Sequence, residues 1–137
     1  TMALMFQKEV ALRICADVGD AHYGRLAVLS RAVTRPYIAF TLPPGAFRPP
    51  PKVDSAVAVL DPLPEDDRFA DLATLEKVTA AAFGQRRKML RASLKSILPK
   101  GLDVPGFLTA LDIDPTARAE TLDQAGFERL ATAIAAL

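Results

Sequence analysis

The chain has 137 residues, half of them apolar, with 17 cations against 16 anions, one histidine and one cysteine. That is ample for the core of one domain, or of a domain and part of another, and it excludes disorder as a whole. It also excludes an internal disulfide, a Cys/His zinc site and a bilayer span of roughly 20 apolar residues, and with no basic-then-apolar leader the sequence reads as soluble and unexported.

Met2 to Phe6 is an unbroken apolar run, of the kind found in a strand buried on both faces of a parallel sheet. Gln7 to Ala16 reads as a helix with Val10, Ala11 and Ile14 on one face and Cys15 as a small core residue, and Asp17-Val18-Gly19-Asp20 breaks it. A second helix is predicted from Tyr23 to Val33, with Leu26, Leu29 and Val33 inward. Pro36 to Leu42 and Ala56 to Leu60 are rich in β-formers and flank a proline loop as in a wide hairpin.

That loop carries Phe47, followed by Arg48 and, after three prolines, Lys52, on the way into the second strand. Pro43, Pro44, Pro49, Pro50 and Pro51 fix their own φ and restrict the preceding residue, so the backbone from Leu42 to Pro51 is biased toward extended or polyproline geometry. A ring on a stiff loop loses little entropy on binding, and stacking a base on it is worth about 1 to 3 kcal/mol. Two other readings stay open from the loop alone: Phe47 plugs the core, or the prolines dock on an SH3-type partner.

Asp61 to Asp71 is acidic, carries Pro62 and Pro64, and separates residues 1–62 from a second unit, 63–137, in which every signal is helical. Helices are predicted over Leu72 to Phe83, over Gln85 to Leu98 after a possible break at Gly84, and over Val104 to Leu111. Thr121-Leu-Asp-Gln124 fits a capping box opening a last helix through Phe127, Leu130, Ile134 and Leu137.

The net charge of +1 hides segregation, because residues 1–60 carry +3, 61–74 carry −4, 75–100 carry +6 and 101–137 carry −4. One block this basic in a balanced chain points to a local polyanion site. On a continuous helix from Gln85, residues Arg87, Lys88, Arg91 and Lys95 share one arc while Phe83, Leu90, Leu94 and Ile97 face the core. Arg86 falls near the apolar arc, so it is expected to pair with a carboxylate or reach the surface. A solvated face is the commoner reason for a charged helix, but few carboxylates in the block could neutralise these cations.

Five segments in order carry a resemblance: Met5-Phe-Gln-Lys-Glu-Val-Ala11; Tyr23-Gly-Arg-Leu26; Phe47-Arg-Pro-Pro-Pro-Lys-Val-Asp-Ser-Ala-Val57; Ala82-Phe-Gly-Gln-Arg-Arg-Lys-Met-Leu-Arg91; and Asp112-Ile-Asp-Pro-Thr-Ala-Arg-Ala-Glu120. Together they closely resemble the KsgA (RsmA) family of rRNA adenine dimethyltransferases. The resemblance implies transfer of methyl groups from S-adenosylmethionine to the exocyclic amine of two adjacent adenines in small-subunit rRNA, on an immature 30S subunit in the cytoplasm, without a metal or a membrane. It also implies a fold in two pieces, α/β then all-α. The first holds the last three strands and two helices of a class I, Rossmann-like methyltransferase sheet, with Ala56 to Leu60 inserted antiparallel between the other two strands. The second is a small helical RNA-binding domain.

Residue by residue, the resemblance makes Phe47 the ring that stacks on a flipped-out adenine. Arg48, Lys52 and Ser55 orient the loop and contact RNA, although Ser55 could equally cap the turn. Arg86, Arg87, Lys88, Arg91 and Lys95 contact RNA phosphates, while Gln7, Glu9, Tyr23 and Gly24 are structural. Ala92 departs from the polar residue usual in the family. Also missing are the family's glycine-rich cofactor turn, the acidic ribose ligand and the Asn-(Leu/Pro)-Pro-Tyr element; the seven glycines, at 19, 24, 45, 84, 101, 106 and 126, form no Gly-x-Gly. The expectation is therefore a fragment that begins just before a fifth strand, holds no catalytic or cofactor-binding residue and is inactive alone. Two rival functions use the same residues differently: a non-catalytic RNA-binding or ribosome-assembly module needs only the basic block, and a proline-rich adaptor needs only the loop.

Overall fold

The computed structural model describes residues 1–49 and 52–137, so the stiffening expected at Pro50 and Pro51 lies outside the described residues. Three strands, β1 (Met2–Gln7), β2 (Thr34–Leu42) and β3 (Ser55–Pro62), form an antiparallel sheet in the order β1-β3-β2. Around it and beyond it lie α1 (Lys8–Cys15), α2 (Arg25–Arg31), α3 (Leu72–Gly84), α4 (Leu90–Ser93), α5 (Val104–Ala110) and α6 (Gln124–Ala135).

As the resemblance implied, β3 is central, pairing Leu60 with Met2 and Ser55 with Gln7 on one side, and Pro62 with Thr34 and Ser55 with Leu42 on the other. The small side chains of Ala56 and Ala58 let α1 approach one face, where Ala11 is buried and Phe6, Cys15 and Ile38 pack around it. Burial pushes the Cys15 thiol up, against the opposing charge of Arg31.

The first strand differs from expectation. Instead of being buried on both faces, β1 is an edge strand within this chain, and Met5 is 57% exposed. An unbroken apolar run suits a strand covered twice, but here only the α1 face is covered. An irregularity in β2 at Ala39 pairs Ile38 with Ala58 but Phe40 with Val57, so these two residues lie on opposite faces. Phe40 therefore joins Met5, Val57 and Tyr37 on the uncovered face.

Helix α2 is shorter than the expected Tyr23 to Val33, and its buried residues are Ala27 and Val28, whereas Leu26 is 45% exposed. Its small face packs with Leu75 and Val78 of α3, Leu90 of α4, Leu108 of α5 and Leu130 of α6 in one cluster. Arg31, at the end of α2, donates from Nη2 to the Cys15 carbonyl at 2.7 Å and from Nε to the Ala16 carbonyl at 3.0 Å, satisfying the last carbonyls of α1.

The long helix expected over Gln85 to Leu98 is replaced by a turn, then α4, then a 3-10 segment Leu94–Ile97. Tertiary partners explain the break: the N–H of Leu90 donates to the Ala117 carbonyl at 2.8 Å and that of Arg91 to the Pro115 carbonyl at 3.1 Å, not to carbonyls one turn back. Side chains of Asp71, Asp103 and Asp123 cap α3, α5 and α6 by accepting from the N–H three residues on. Asp123 thus takes the place expected of Thr121, and Gln124, rather than closing a capping box, donates to the Val28 carbonyl of α2 at 2.9 Å. The last helix ends before Leu137, which is exposed.

Tyr23 lies at the centre, 1% exposed, edge-on to Phe83 with centroids 5.9 Å apart, its hydroxyl donating to the Leu122 carbonyl at 2.7 Å. Burial raises its pKa well above the ordinary 10.0, and the nearby carboxylates of Asp123 and Asp17 raise it further against Arg31. The folded phenol keeps its proton where the unfolded one loses it, so between those two values the unfolded chain binds fewer protons and stability falls as pH rises. Chemical denaturation between pH 9 and 11 is expected to show a steeper alkaline loss of stability in the parent than in Tyr23→Phe, which at neutral pH is less stable by about 1 to 3 kcal/mol because the Leu122 carbonyl loses its donor.

Candidate nucleic-acid interface

The β2–β3 connection begins with Pro43 in extended geometry, but Pro44 to Ala46 closes a 3-10 turn, with Ala46 N–H on the Pro43 carbonyl at 3.0 Å and Phe47 N–H on the Pro44 carbonyl at 3.2 Å. The expected run of extended backbone is corrected there, because a proline's φ also suits the first position of a helical turn and Gly45 adds no bulk. Phe47 itself returns to extended geometry, is half-buried and belongs to neither apolar cluster. Arg48 and Lys52 are exposed. Ser55, 8% exposed, lies in the ladder between Gln7 and Leu42 at the end of the sheet from which the loop leaves. Next to it the Lys8 N–H donates to the Asp54 carbonyl at 2.9 Å, which ties the loop's exit to the start of α1.

The basic block sits on the turn 85–89 and the exposed side of α4 and the following 3-10 segment. Leu90, Leu94 and Leu98 are buried, so Arg91 and Lys95 are left outward as the sequence indicated. Arg87 and Lys88 are exposed too, but on the turn rather than on a helix. None of Arg86, Arg87, Lys88, Arg91 and Lys95 makes an ion pair among the described residues; the pairs formed are Arg13 with Glu9 and Arg25 with Glu76, both exposed.

Arg86 differs from the other four. Its guanidinium lies over the Phe83 ring, 5.1 Å from the centroid, and Nη2 donates to the Tyr23 carbonyl at 3.1 Å. It reaches the surface, one of the two outcomes expected from its helical phase, and its partners are a ring and a carbonyl instead of a carboxylate. It lines a cleft of about 610 Å³ together with Glu9, Arg13, Arg25 and Phe83. Nothing in residue spacing alone signals this seat, because Tyr23 and Arg86 are 63 positions apart.

An adenosyl cofactor does not fit what is present. The strand-to-helix junction of the sheet, Gln7 into Lys8, passes directly from β1 to α1 with no glycine and no loop in which a nucleotide could be cradled. Among the described residues no group of three or more His, Cys, Asp or Glu is placed to hold a metal, and no helix is long and apolar enough to cross a membrane.

Residues 1–135 match the family described as ribosomal RNA adenine dimethylase. The chain is 55% identical over 137 residues to the Ribosomal RNA small subunit methyltransferase A of Xanthobacter autotrophicus, covering all of this chain and 46% of that protein. It is 50% identical over 131 residues to the protein of the same name from Maricaulis maris, covering 95% and 45%. The chain therefore spans less than half the length of these relatives. Among solved structures it resembles a dimethyladenosine transferase from Plasmodium falciparum, with a TM-score of 0.78 and 27% identity over 93% of this chain and 54% of that one. It shares the fold of the 23S rRNA methyltransferase ErmE, at a TM-score of 0.61 and 24% identity over 97% of this chain and 54% of that one.

Because Arg87, Lys88 and Arg91 have no carboxylate partner to lose, changing all three to alanine is expected to alter stability by no more than about 0.5 kcal/mol per site in urea denaturation.

Proposed function

Because the chain belongs to the ribosomal RNA adenine dimethylase family, we propose that it forms the target-base and RNA-holding part of an enzyme that dimethylates the exocyclic amines of two adjacent adenines in small-subunit rRNA, acting on immature 30S subunits in the cytoplasm. The observation that carries this reading is the set of exposed cations on 86–95 with no carboxylate partner among the described residues. Phosphates would supply the missing countercharge; such contacts position an enzyme on RNA without reading its sequence. Among the described residues Arg87, Lys88, Arg91 and Lys95 have neither ring nor carbonyl partners for their side chains, which leaves them available to serve.

Phe47 is assigned to the target base. A ring outside both clusters, on a loop closed by its own 3-10 turn and anchored at the end of the sheet, can stack on an extruded adenine and offset part of the few kcal/mol that flipping costs. The adenine amine is a weak nucleophile, so the contribution of this chain is to hold it in line with an incoming methyl group. Arg48 and Lys52, which follow the ring on the same loop, neutralise the adjoining phosphates, and Ser55 fixes the loop's end. S-adenosylmethionine, when bound, supplies the electrophilic methyl; its cradle is assigned to the part of the relatives' length that this chain does not span. In the same reading, residues 1–62 complete a class I methyltransferase sheet and residues 63–137 form the RNA-binding unit. The exposed Met5, Tyr37 and Phe40, with the half-buried Val57 beside them, are then a surface that the remainder of the sheet domain covers.

The missing cofactor turn favours a second reading, a non-catalytic RNA-binding or assembly module. Calorimetric titration with S-adenosylmethionine should give no heat of binding in either case, whereas methylation of small-subunit rRNA by the longer protein excludes the module.

Binding of small-subunit rRNA by this chain is expected to weaken linearly with log salt, and each of Arg87→Ala, Lys88→Ala and Arg91→Ala should lower the magnitude of that slope by about one. Unchanged slopes would remove the phosphate assignment. Phe47→Ala should weaken binding of an oligonucleotide with two unpaired adenines by about 1 to 3 kcal/mol. Loss of stability at unchanged affinity would instead make Phe47 a core residue.

A further inference from the structure

We propose that Arg86 is a positioning residue for RNA binding, not a phosphate contact: its guanidinium is seated on Phe83 and Tyr23 and sets the turn from which Arg87 and Lys88 present their charges. This rests on the RNA-binding reading above and departs from it in taking one cation out of the phosphate-binding set.

The seat is built from the buried core outward. Phe127 is fully buried, Phe83 stacks on it with centroids 5.3 Å apart and planes at 29°, and Tyr23 meets Phe83 edge-on. The Arg86 guanidinium covers the outer side of Phe83 and gives one N–H edge to the Tyr23 carbonyl. A planar guanidinium stacks face-on while donating in its own plane, a geometry that a compact ammonium reproduces only in part. Gly24 makes room for it, since a Cβ at that position would come 2.9 Å from Nη2. The φ of Gly24 is −171°, which any residue adopts, so what this position requires is space and not backbone freedom.

The turn depends on that seat. Helix α3 stops at Gly84, Gln85 leaves helical geometry with φ −127° and ψ 59°, and helical geometry resumes only at Leu90, whose N–H is held by Ala117. Between those anchors lie a backbone bond from Lys88 N–H to the Gln85 carbonyl and the Arg86 side chain. Of these, the Arg86 side chain is the tie to the segment preceding α2, and it adjoins Arg87 and Lys88 in sequence.

The test measures binding of a small-subunit rRNA transcript by the chain across a salt series, well below the melting temperature, for Arg86→Ala, Arg86→Lys, Arg87→Ala, Gly24→Ala and the Arg86→Ala/Arg87→Ala double variant. Arg86→Ala is expected to weaken binding roughly two- to fivefold, as loss of a cation–π seat implies, while lowering the salt slope by well under one, because a loosened turn weakens the Arg87 and Lys88 contacts without removing either charge. Arg86→Lys keeps the charge but recovers only part of that affinity. Gly24→Ala keeps every charge, displaces the flexible end of Arg86, and reproduces the loss in a chain that still folds. The double variant loses less than the product of the two single losses, because Arg87 on a loosened turn has less to contribute. A slope reduced by about one in Arg86→Ala, or full recovery with lysine, overturns the proposal in favour of a phosphate contact. A lower melting temperature at unchanged affinity overturns it in favour of a purely structural residue. If Arg87→Ala leaves the slope unchanged, the RNA-binding reading itself falls and takes this proposal with it; if that slope drops while Arg86→Ala behaves as a phosphate contact, only the role of Arg86 falls.

Discussion

The buried ring of Tyr23 lies edge-on to Phe83 while its hydroxyl is bound to the Leu122 carbonyl, so a residue just before α2 is tied at both ends to the C-terminal helices. Around it α2 buries Ala27 and Val28 in the cluster and packs Leu29 against it, and the two small side chains let α3 and α6 close in. Bonds from Gln124 to the Val28 carbonyl and from Arg31 to the end of α1 extend the same junction, one toward α6 and the other toward the sheet. The end of α1, the start of α6 and the basic turn are therefore all tied to the segment at and before α2.

That junction also sorts the cations. Where a guanidinium meets a ring or a set of carbonyls it is spent on structure, as with Arg31 and Arg86. Where it meets a carboxylate on the surface, as in Arg13 with Glu9 and Arg25 with Glu76, the pair contributes little to stability and is nearly neutral to an approaching polyanion. Among the described residues Arg87, Lys88, Arg91 and Lys95 have none of these partners, and so they hold the charge that the anionic segments on either side of the block do not cancel.

Sequence reading succeeded where one physical signal decided the outcome. Periodicity identified the buried leucines of the basic block, β-propensity found both strands flanking the proline loop, and the motif match located the family. It failed where a distant partner competed with a local one. The helix expected from Gln85 yields at 85–89 because Ala117 and Pro115 supply carbonyls to Leu90 and Arg91. The capping box yields because Gln124 reaches Val28 and leaves Asp123 to cap. In β1 the apolar run says that two faces suit burial, but it cannot say what lies against each.

By itself the sequence determined the element types, the membership of a family, the absence of a glycine-rich nucleotide turn and the presence of a basic block without local countercharge. Family membership follows from the motif match along the chain, and the rest from composition and short-range spacing. Only the tertiary structure decided which cations remain free, since Arg86 and Arg87 are chemically identical neighbours that part company because Phe83 and the Tyr23 carbonyl lie within reach of one and not of the other. Likewise, that Phe47 lies outside both apolar clusters among the described residues is a fact of tertiary placement that spacing does not give. A side chain's role depends on which groups stand within a few ångströms, and that set is assembled by contacts across the whole chain.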